Sequence, residues 1–271
     1  MKLGYMTNAF GPLVGMGGGV TSMKEAGYLT MCNDEEAIKT ISLRGYKYIE
    51  IFEGNIGNYE KNPEVLKEIL DKYNVSILGV YTGCHLIYQD ALGDELYKVN
   101  RLCDVSQKLG VKHIVLGGGS IRGEGIQEGD FALAAMGINE VAKVIKSHGM
   151  IPSYHPHLGS IAETPEQIHK LFALTDIAFC PDIAHLAAGG GDALELIRQY
   201  YERIKYVHLK DLSETGEFVP LGKGKIDLEA IINFLKEKDY QGDWLVEIDG
   251  YSGEPNEACE ISYEYLKGKL I

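Results

Sequence analysis

Ile151-Pro152-Ser153-Tyr154-His155-Pro156-His157, followed after a short gap by Thr164-Pro165-Glu166-Gln167-Ile168, is the stretch that decides the fold. Ile151 to Tyr154 reads as a short strand that ends abruptly in imidazoles. Thr164-Pro165 then places a capping side chain before a proline at the first helical position, which starts a helix. Strand, polar turn and helix together make one β/α unit. The same unit recurs outward in both directions. Strand-like runs lie at Leu3 to Ala9, Tyr46 to Phe52, Ser76 to Tyr81, His113 to Leu116, Ile151 to Tyr154, Ile177 to Cys180, Tyr206 to Leu209 and Trp244 to Ile248. Most are apolar on both faces, as the wall of a parallel barrel requires. Between them Val65, Leu66, Ile69, Leu70 and Tyr73, and again Leu228, Ile231, Ile232 and Leu235, recur at helical spacing. Asn62-Pro63 repeats the start signal of Thr164-Pro165. Eight alternating units predict an α/β fold, a single (β/α)8 TIM barrel over residues 1–271. The 271 residues suit it, since about 250 are typical of that architecture.

Composition narrows the classes of partner. Apolar residues are 45% and charged residues 24% of the chain, ordinary for a globular protein, and no apolar run approaches the roughly 20 residues of a spanning helix. The amino terminus alternates like a first strand and lacks a secretory pattern, so a cytoplasmic location is expected. Five scattered cysteines with no C-x-x-C pair read as reduced, mostly buried thiols. A formal charge of −13 opposes phosphate backbones, so neither nucleic acid nor membrane is an expected partner. Two Gly-rich stretches, Gly11 to Gly19 and Gly117 to Gly125, lack phosphate-loop spacing and read as loops at the barrel mouth, either mobile over a substrate or plainly connecting.

Polar residues at the carboxyl ends of barrel strands converge on one rim. Strand five ends in His155-Pro156-His157, strand six in Asp182-Ile183-Ala184-His185, strand seven in His208-Leu209-Lys210-Asp211 and strand eight in Glu247-Ile248-Asp249, while strand two adds Glu50 and Glu53. Imidazoles mixed with carboxylates suit manganese, cobalt, iron or zinc, with manganese the first choice. His155, Asp182, His208 and Glu247 are the expected ligands, one per strand. A cation there would polarise a substrate carbonyl, and a base must stand beside it. His157 and His185 are the best placed for that base, His157 being the first choice, with Glu50 and Glu247 as catalytic partners. His185, Lys210 and Tyr81 are expected to contact substrate. Lys210 and Asp211 also read as a salt-bridged rim pair that shapes the site, and His113, His148 and His169 as structural histidines.

At these residues the chain resembles the xylose-isomerase-like barrel superfamily of sugar isomerases and epimerases, and within it the inosose dehydratases. Tyr154-His155-Pro156-His157-Leu158-Gly159-Ser160 is similar to the Y-H-H-H-x-G-T segment, Asp182-Ile183-Ala184-His185 to D-T-G-H, and Arg203-Ile204-Lys205-Tyr206-Val207-His208-Leu209-Lys210-Asp211 to R-I-x-x-V-H-x-K-D. Val219-Pro220-Leu221-Gly222-Lys223-Gly224-Lys225-Ile226-Asp227 is similar to the turn V-P-G-D-G-x-I-D. The resemblance implies metal ligation by Asp182, His208 and Glu247 and substrate contact by His185. His155 stands where many epimerases carry Glu, Lys223 replaces an acidic turn residue, and Gly11 to Tyr28 follow another course. The implied activity is a lyase that removes a proton beside the ketone of a keto-sugar or keto-cyclitol and expels a β-leaving group. A sugar isomerase or epimerase, the catalytic subunit of a keto-glycoside-cleaving complex, a barrel endonuclease and a non-catalytic barrel are the alternatives. The charge opposes the endonuclease. A homo-oligomer is expected, with a second subunit as a further option.

Overall fold

The computed structural model of the chain describes residues 1–15 and 22–271. Eight parallel strands form one sheet: β1 (Leu3–Met6), β2 (Tyr48–Phe52), β3 (Ser76–Cys84), β4 (His113–Gly118), β5 (Ile151–Tyr154), β6 (Ala178–Phe179), β7 (Tyr206–Leu209) and β8 (Asp243–Val246). Each is followed by a helix: α1 (Asp34–Leu43), α2 (Pro63–Tyr73), α3 (Leu92–Lys108), α4 (Asp130–Ser147), α5 (Pro165–Phe172), α6 (Ala193–Gln199), α7 (Leu228–Glu237) and α8 (Pro255–Leu266). The sheet runs β6-β5-β4-β3-β2-β1-β8-β7, and parallel bridges Phe179 to Ile204 and Asp182 to His208 join its two edges. The barrel expected from the sequence is therefore present. Strand ends differ by a few residues. The run Leu3 to Ala9 stops at Met6, because Thr7–Phe10 turns into a 3-10 helix.

The pleat sorts side chains into two cores. Ile49, Ile51, Val207, Leu209, Trp244 and Val246 face outward into the layer shared with the helices. Met6, Phe52, Leu78, Tyr81, Val115, Cys180, Tyr206 and Leu245 form a separate cluster inside the barrel. With a period of two, the next inward positions after Tyr206 and Leu245 are His208 and Glu247. Helix starts follow the sequence unevenly. Thr164 forms a full capping box with Gln167, whereas Asn62, whose φ of −139° and ψ of 67° lie outside the usual capping geometry, makes no side-chain cap.

Of the Gly-rich stretches, the first is described only to Gly15, and Met16 to Gly19 lie outside the described residues. The second is not a free loop at its start. Gly117 and Gly118 belong to β4, and a Cβ on Gly117 would overlap the Tyr81 hydroxyl, one on Gly119 the Ile161 side chain. Close packing explains these glycines better than a swinging loop does. Two antiparallel ribbons lie in the connections after β1 and β7. Leu13–Gly15 pairs with Tyr28–Thr30, and Asp211–Leu212 with Phe218–Val219. Four of the five cysteines are buried, and no described helix is long and apolar enough to cross a membrane.

Asp243 ties the other end of the barrel. Its carboxylate accepts from the Lys2 backbone N–H at 2.9 Å, pairs with His113 Nε2 at 3.0 Å and is bridged by Lys112. Burial acts to raise this carboxyl, but the His113 and Lys112 hydrogen bonds outweigh it and hold it at about 2. Burial depresses His113. Both folded-state values lie below the ordinary ones of about 3.9 and 6.5, so both contributions are present at neutral pH and fade on acidification. Replacing Asp243 by Asn is expected to lower unfolding stability by about 2 kcal/mol at pH 7, with the difference from the parent shrinking as the pH approaches 2. Urea unfolding across pH checks this, and an equal loss at every pH would contradict it.

Candidate metal centre and the cavity above it

β5, β6, β7 and β8 deliver the four residues that their sequence ends promised. His155, Asp182, His208 and Glu247 each offer one ligand atom, and these atoms lie within 4.8 Å of one another. His155, Asp182 and His208 are fully buried and Glu247 is 5% exposed. His155 Nε2 lies 3.4 Å from Asp182 Oδ2 and 3.9 Å from Glu247 Oε2. His208 Nδ1 is hydrogen-bonded to Glu247 Oε2 at 2.7 Å. Asp182 is held by its own backbone context. It caps the short helix Ile183–Ala188 by accepting from the His185 N–H, and the Asp182 to His208 bridge sits beside it at the barrel seam.

Both ring nitrogens of His155 and Nε2 of His208 are buried without a hydrogen-bond partner. His155 Nε2, which faces Asp182 and Glu247 without a hydrogen bond, fits a divalent cation, because buried polar groups otherwise find partners, whereas the unpaired Nε2 of His208 faces Glu50. The donor set of two imidazoles and two carboxylates matches manganese, iron, cobalt or zinc better than magnesium. Burial lowers the basicity of His155, but the facing carboxylates of Asp182 and Glu247 more than compensate and raise it above its ordinary value.

Lys210 lies beside this quartet. Fully buried, its ammonium sits 2.8 Å from Asp182, 3.1 Å from Glu247 and 2.6 Å from Asp249. Burial acts to lower its basicity, yet the three carboxylates raise it, so Lys210 carries its charge at all physiological pH. The expected Lys210 to Asp211 rim pair does not form. Asp211 points elsewhere and accepts from the backbone N–H groups of Leu212, Gly222, Gly224 and Ile226, which shapes the turn after β7. The residues alternate across the chain's pleat, so neighbours in sequence face opposite ways.

A cavity of about 810 Å3 opens above the quartet, with His157, His185, Glu247, Asp249, Tyr81 and Asn8 among its walls. The rings of His157 and His185 lie 3.9 Å apart between centroids, and His185 Nε2 is 3.3 Å from Asp249 Oδ2. Burial, then the neighbouring His185 and His155, push His157 down to about 4. Its Nδ1 lies 2.7 Å from the Leu158 carbonyl oxygen, which can only accept. The Nδ1 therefore carries the proton, and the neutral Nε2 has a free lone pair.

Glu50 and Glu53 fall outside the cavity floor. Glu50 is fully buried with Oε2 3.4 Å from His208 Nε2, and it is not a wall of the cavity. Glu53 accepts from the Tyr28 and Gly83 N–H groups and pairs with Lys98. His113, His148 and His169 bond to Asp243, to Asp104 and the Val144 carbonyl, and to the Tyr200 hydroxyl, as structural histidines do. Sequence reasoning did not single out Asn8, whose amide reaches Glu247 and Asp249, nor assign Asp249 a role. For Asp249 the signal was available, since it lies two residues beyond Glu247 on the same face.

The Lys210 ammonium is the compensating charge for three carboxylates. Lys210→Met is expected to destabilise the metal-free protein by about 3–5 kcal/mol, as loss of one partner of a buried ion pair does. Added manganese should recover part of that loss by binding the folded state. Calorimetric Tm values with and without manganese decide it, and an unchanged Tm in the metal-free variant would count against the assignment.

Comparison with known proteins agrees with this architecture. The family model described as xylose isomerase-like TIM barrel matches residues 38–269. An inosose dehydratase of Clostridium perfringens is 30% identical, with 87% of this chain and 89% of that protein covered. Among solved structures, the probable 3-DHS dehydratase AsbF from Bacillus anthracis superposes with a TM-score of 0.77 at 13% identity, covering 98% of this chain and 99% of that one. The 3-keto-D-glucoside 4-epimerase YcjR from E. coli gives 0.73 at 16% identity, covering 99% of each chain. At such identities these two likenesses concern the fold alone. The family match, the 30% identity over most of the chain and the barrel described above agree, and this chain belongs to the xylose isomerase-like TIM barrel family.

Proposed function

We propose that this chain is a metal-dependent lyase that removes a proton beside the ketone of a keto-cyclitol or keto-sugar and eliminates a β-hydroxyl as water. The observation that carries the reading is His157 in the wall of a cavity above the His155, Asp182, His208 and Glu247 quartet, with its Nδ1 engaged by the Leu158 carbonyl and its Nε2 left as the basic nitrogen. The inosose dehydratase relative supports elimination as the outcome. Bound by the quartet, a divalent cation, manganese by first choice, would polarise the carbonyl and acidify the adjacent C–H. His157 Nε2 accepts that proton as the C–H electron pair becomes a carbon–carbon double bond. The β-hydroxyl leaves with its own bond pair, and the proton held on His157 returns to it as water, so atoms and electrons balance. His185, whose Nε2 lies 3.3 Å from Asp249 Oδ2, contacts substrate hydroxyls beside His157. Tyr81 contributes a ring wall. Glu50 acts through His208, orienting that ring from below, as a carboxylate behind a ligating histidine does. Glu247 serves as ligand and, being a cavity wall, also meets substrate.

The experiment is incubation of the manganese-loaded protein with 2-keto-myo-inositol in deuterated water, followed by mass and NMR. Loss of water is expected. Reversible formation of an isomer with deuterium uptake would replace the lyase by an epimerase. Two variants separate the roles. Asp182→Asn should lose manganese, read by metal analysis after gel filtration. His157→Asn should keep it while turnover falls at least about 100-fold, the lower range for a general base. Full turnover in His157→Asn would remove His157 from the mechanism.

A further inference from the structure

The two oxygens of Glu247 have different neighbours. Oε2 faces two imidazoles, with His208 Nδ1 at 2.7 Å and His155 Nε2 at 3.9 Å. Oε1 is held from both sides of β8. From β7 the Lys210 ammonium reaches it at 3.1 Å, and from the turn after β1 the Asn8 side-chain amide donates to it at 3.4 Å. β8 lies between β1 and β7 in the sheet, so the two donors close on one oxygen from opposite neighbours. Local structure brings Asn8 within reach. β1 pairs with β8 in the register Tyr5 to Val246, and the chain after Met6 tightens into the 3-10 helix Thr7–Phe10 that carries Asn8.

The orientation of Asn8 is not free. Its side chain is buried, and the same amide nitrogen also donates to Asp249 Oδ1. Carboxylates only accept, so the nitrogen and not the oxygen of the amide must face Glu247 and Asp249. That leaves Asn8 Oδ1 buried without a partner. A buried acceptor without a partner is costly, so the two carboxylates set how Asn8 is turned. Asp249 Oδ2 in turn lies 2.6 Å from the Lys210 ammonium, which closes a ring of contacts through Asn8, Asp249, Lys210 and Glu247 Oε1. Asn8 is the neutral member of that ring, so replacing it by an apolar residue leaves the charge of the site unchanged. We propose that Asn8 is a positioning residue: with Lys210 it holds Glu247 Oε1 aside, so that Glu247 meets a divalent cation through Oε2 alone. The proposal rests on the quartet as the cation site. A carboxylate free to turn can bind through both oxygens, and it then takes a coordination position that a catalytic site keeps open for substrate.

The test compares the parent with Asn8→Leu, close in size but without a donor, and Asn8→Gln, which keeps the amide on a longer stem. Manganese is titrated calorimetrically into each metal-free protein. Asn8→Leu is expected to bind at least about tenfold more weakly, the lower range for a residue behind a metal ligand, and Asn8→Gln to lose no more than about threefold. In protein labelled with 13C-glutamate, the infrared difference between manganese-loaded and metal-free forms reads Glu247, the one glutamate of the quartet. The parent is expected to show the wide separation of antisymmetric and symmetric carboxylate stretches that one-oxygen binding gives, and Asn8→Leu the narrower separation of two-oxygen binding. Parent-like affinity in Asn8→Leu overturns the proposal, as does weaker binding with unchanged Glu247 bands. Equal weakening in Asn8→Gln and Asn8→Leu means that Asn8 only packs, and overturns it too. A two-oxygen spectrum in the parent does the same, and the parent spectrum decides even where neither variant folds. A parent that binds no manganese removes the quartet as the cation site and the proposal with it, whereas a parent and variants that bind alike remove the proposal alone.

Discussion

The backbone bridge between Asp182 and His208 closes the barrel, and the site depends on that closure. A parallel sheet of eight strands has two edges until its first and last members meet, and here they meet at two positions of the quartet. Once the seam is closed, the inward pleat of β5, β7 and β8 continues as His155, His208 and Glu247, and the turn after β6 brings in Asp182. Carboxylates and imidazoles are thereby forced together in a space from which water is excluded. Such a group is tolerable only with compensating positive charge. Lys210 supplies one unit, hydrogen-bonding distances from three carboxylates. The unpaired Nε2 of His155, facing Asp182 and Glu247, is where a further positive charge fits.

The two ends of the barrel use the same residue types for different ends. At the amino-terminal end, His113 stacks on Tyr206 with 4.5 Å between centroids and bonds Asp243, so an imidazole and a carboxylate lock β4 to β8. Burial dominates there and His113 is neutral. At the carboxyl-terminal end, His155 is just as buried but faces Asp182 and Glu247, which raise its basicity. Stability sits at one end and chemistry at the other, the usual division in this architecture. His157 differs again. Its hydrogen bond to the Leu158 carbonyl selects one tautomer, and burial, helped by the neighbouring imidazoles, keeps it unprotonated.

Above the floor, the cavity is built from the connections and not from the barrel. The ribbon carrying Leu13 and Tyr28 supplies one wall, and Phe218, from the ribbon after β7, stands 5.1 Å from the His185 ring on another. The strands hold the quartet while these connections set the size and polarity of what can reach it.

How much of this was legible follows from the geometry. Alternation of short apolar runs with helical stripes determined the eight units, because strand and helix periods are local properties of the chain. The polar ends of β5 to β8 determined the quartet, since in a barrel those ends share one rim. Face could be read two residues at a time, and Asp249 was within reach by that rule. Partnership across the barrel could not. Whether Lys210 would meet Asp211 beside it or Asp182 and Asp249 across the rim depends on the radius and closure of the sheet, which no run of sequence encodes locally. Glu50 sits below His208 for the same reason, and Asn8 joins Glu247 and Asp249 only because β1 and β8, distant in sequence, lie side by side. The chain's own pattern determined the barrel and the residues of its quartet; the closed tertiary structure decided which charges meet, because contact between distant strands exists only after closure.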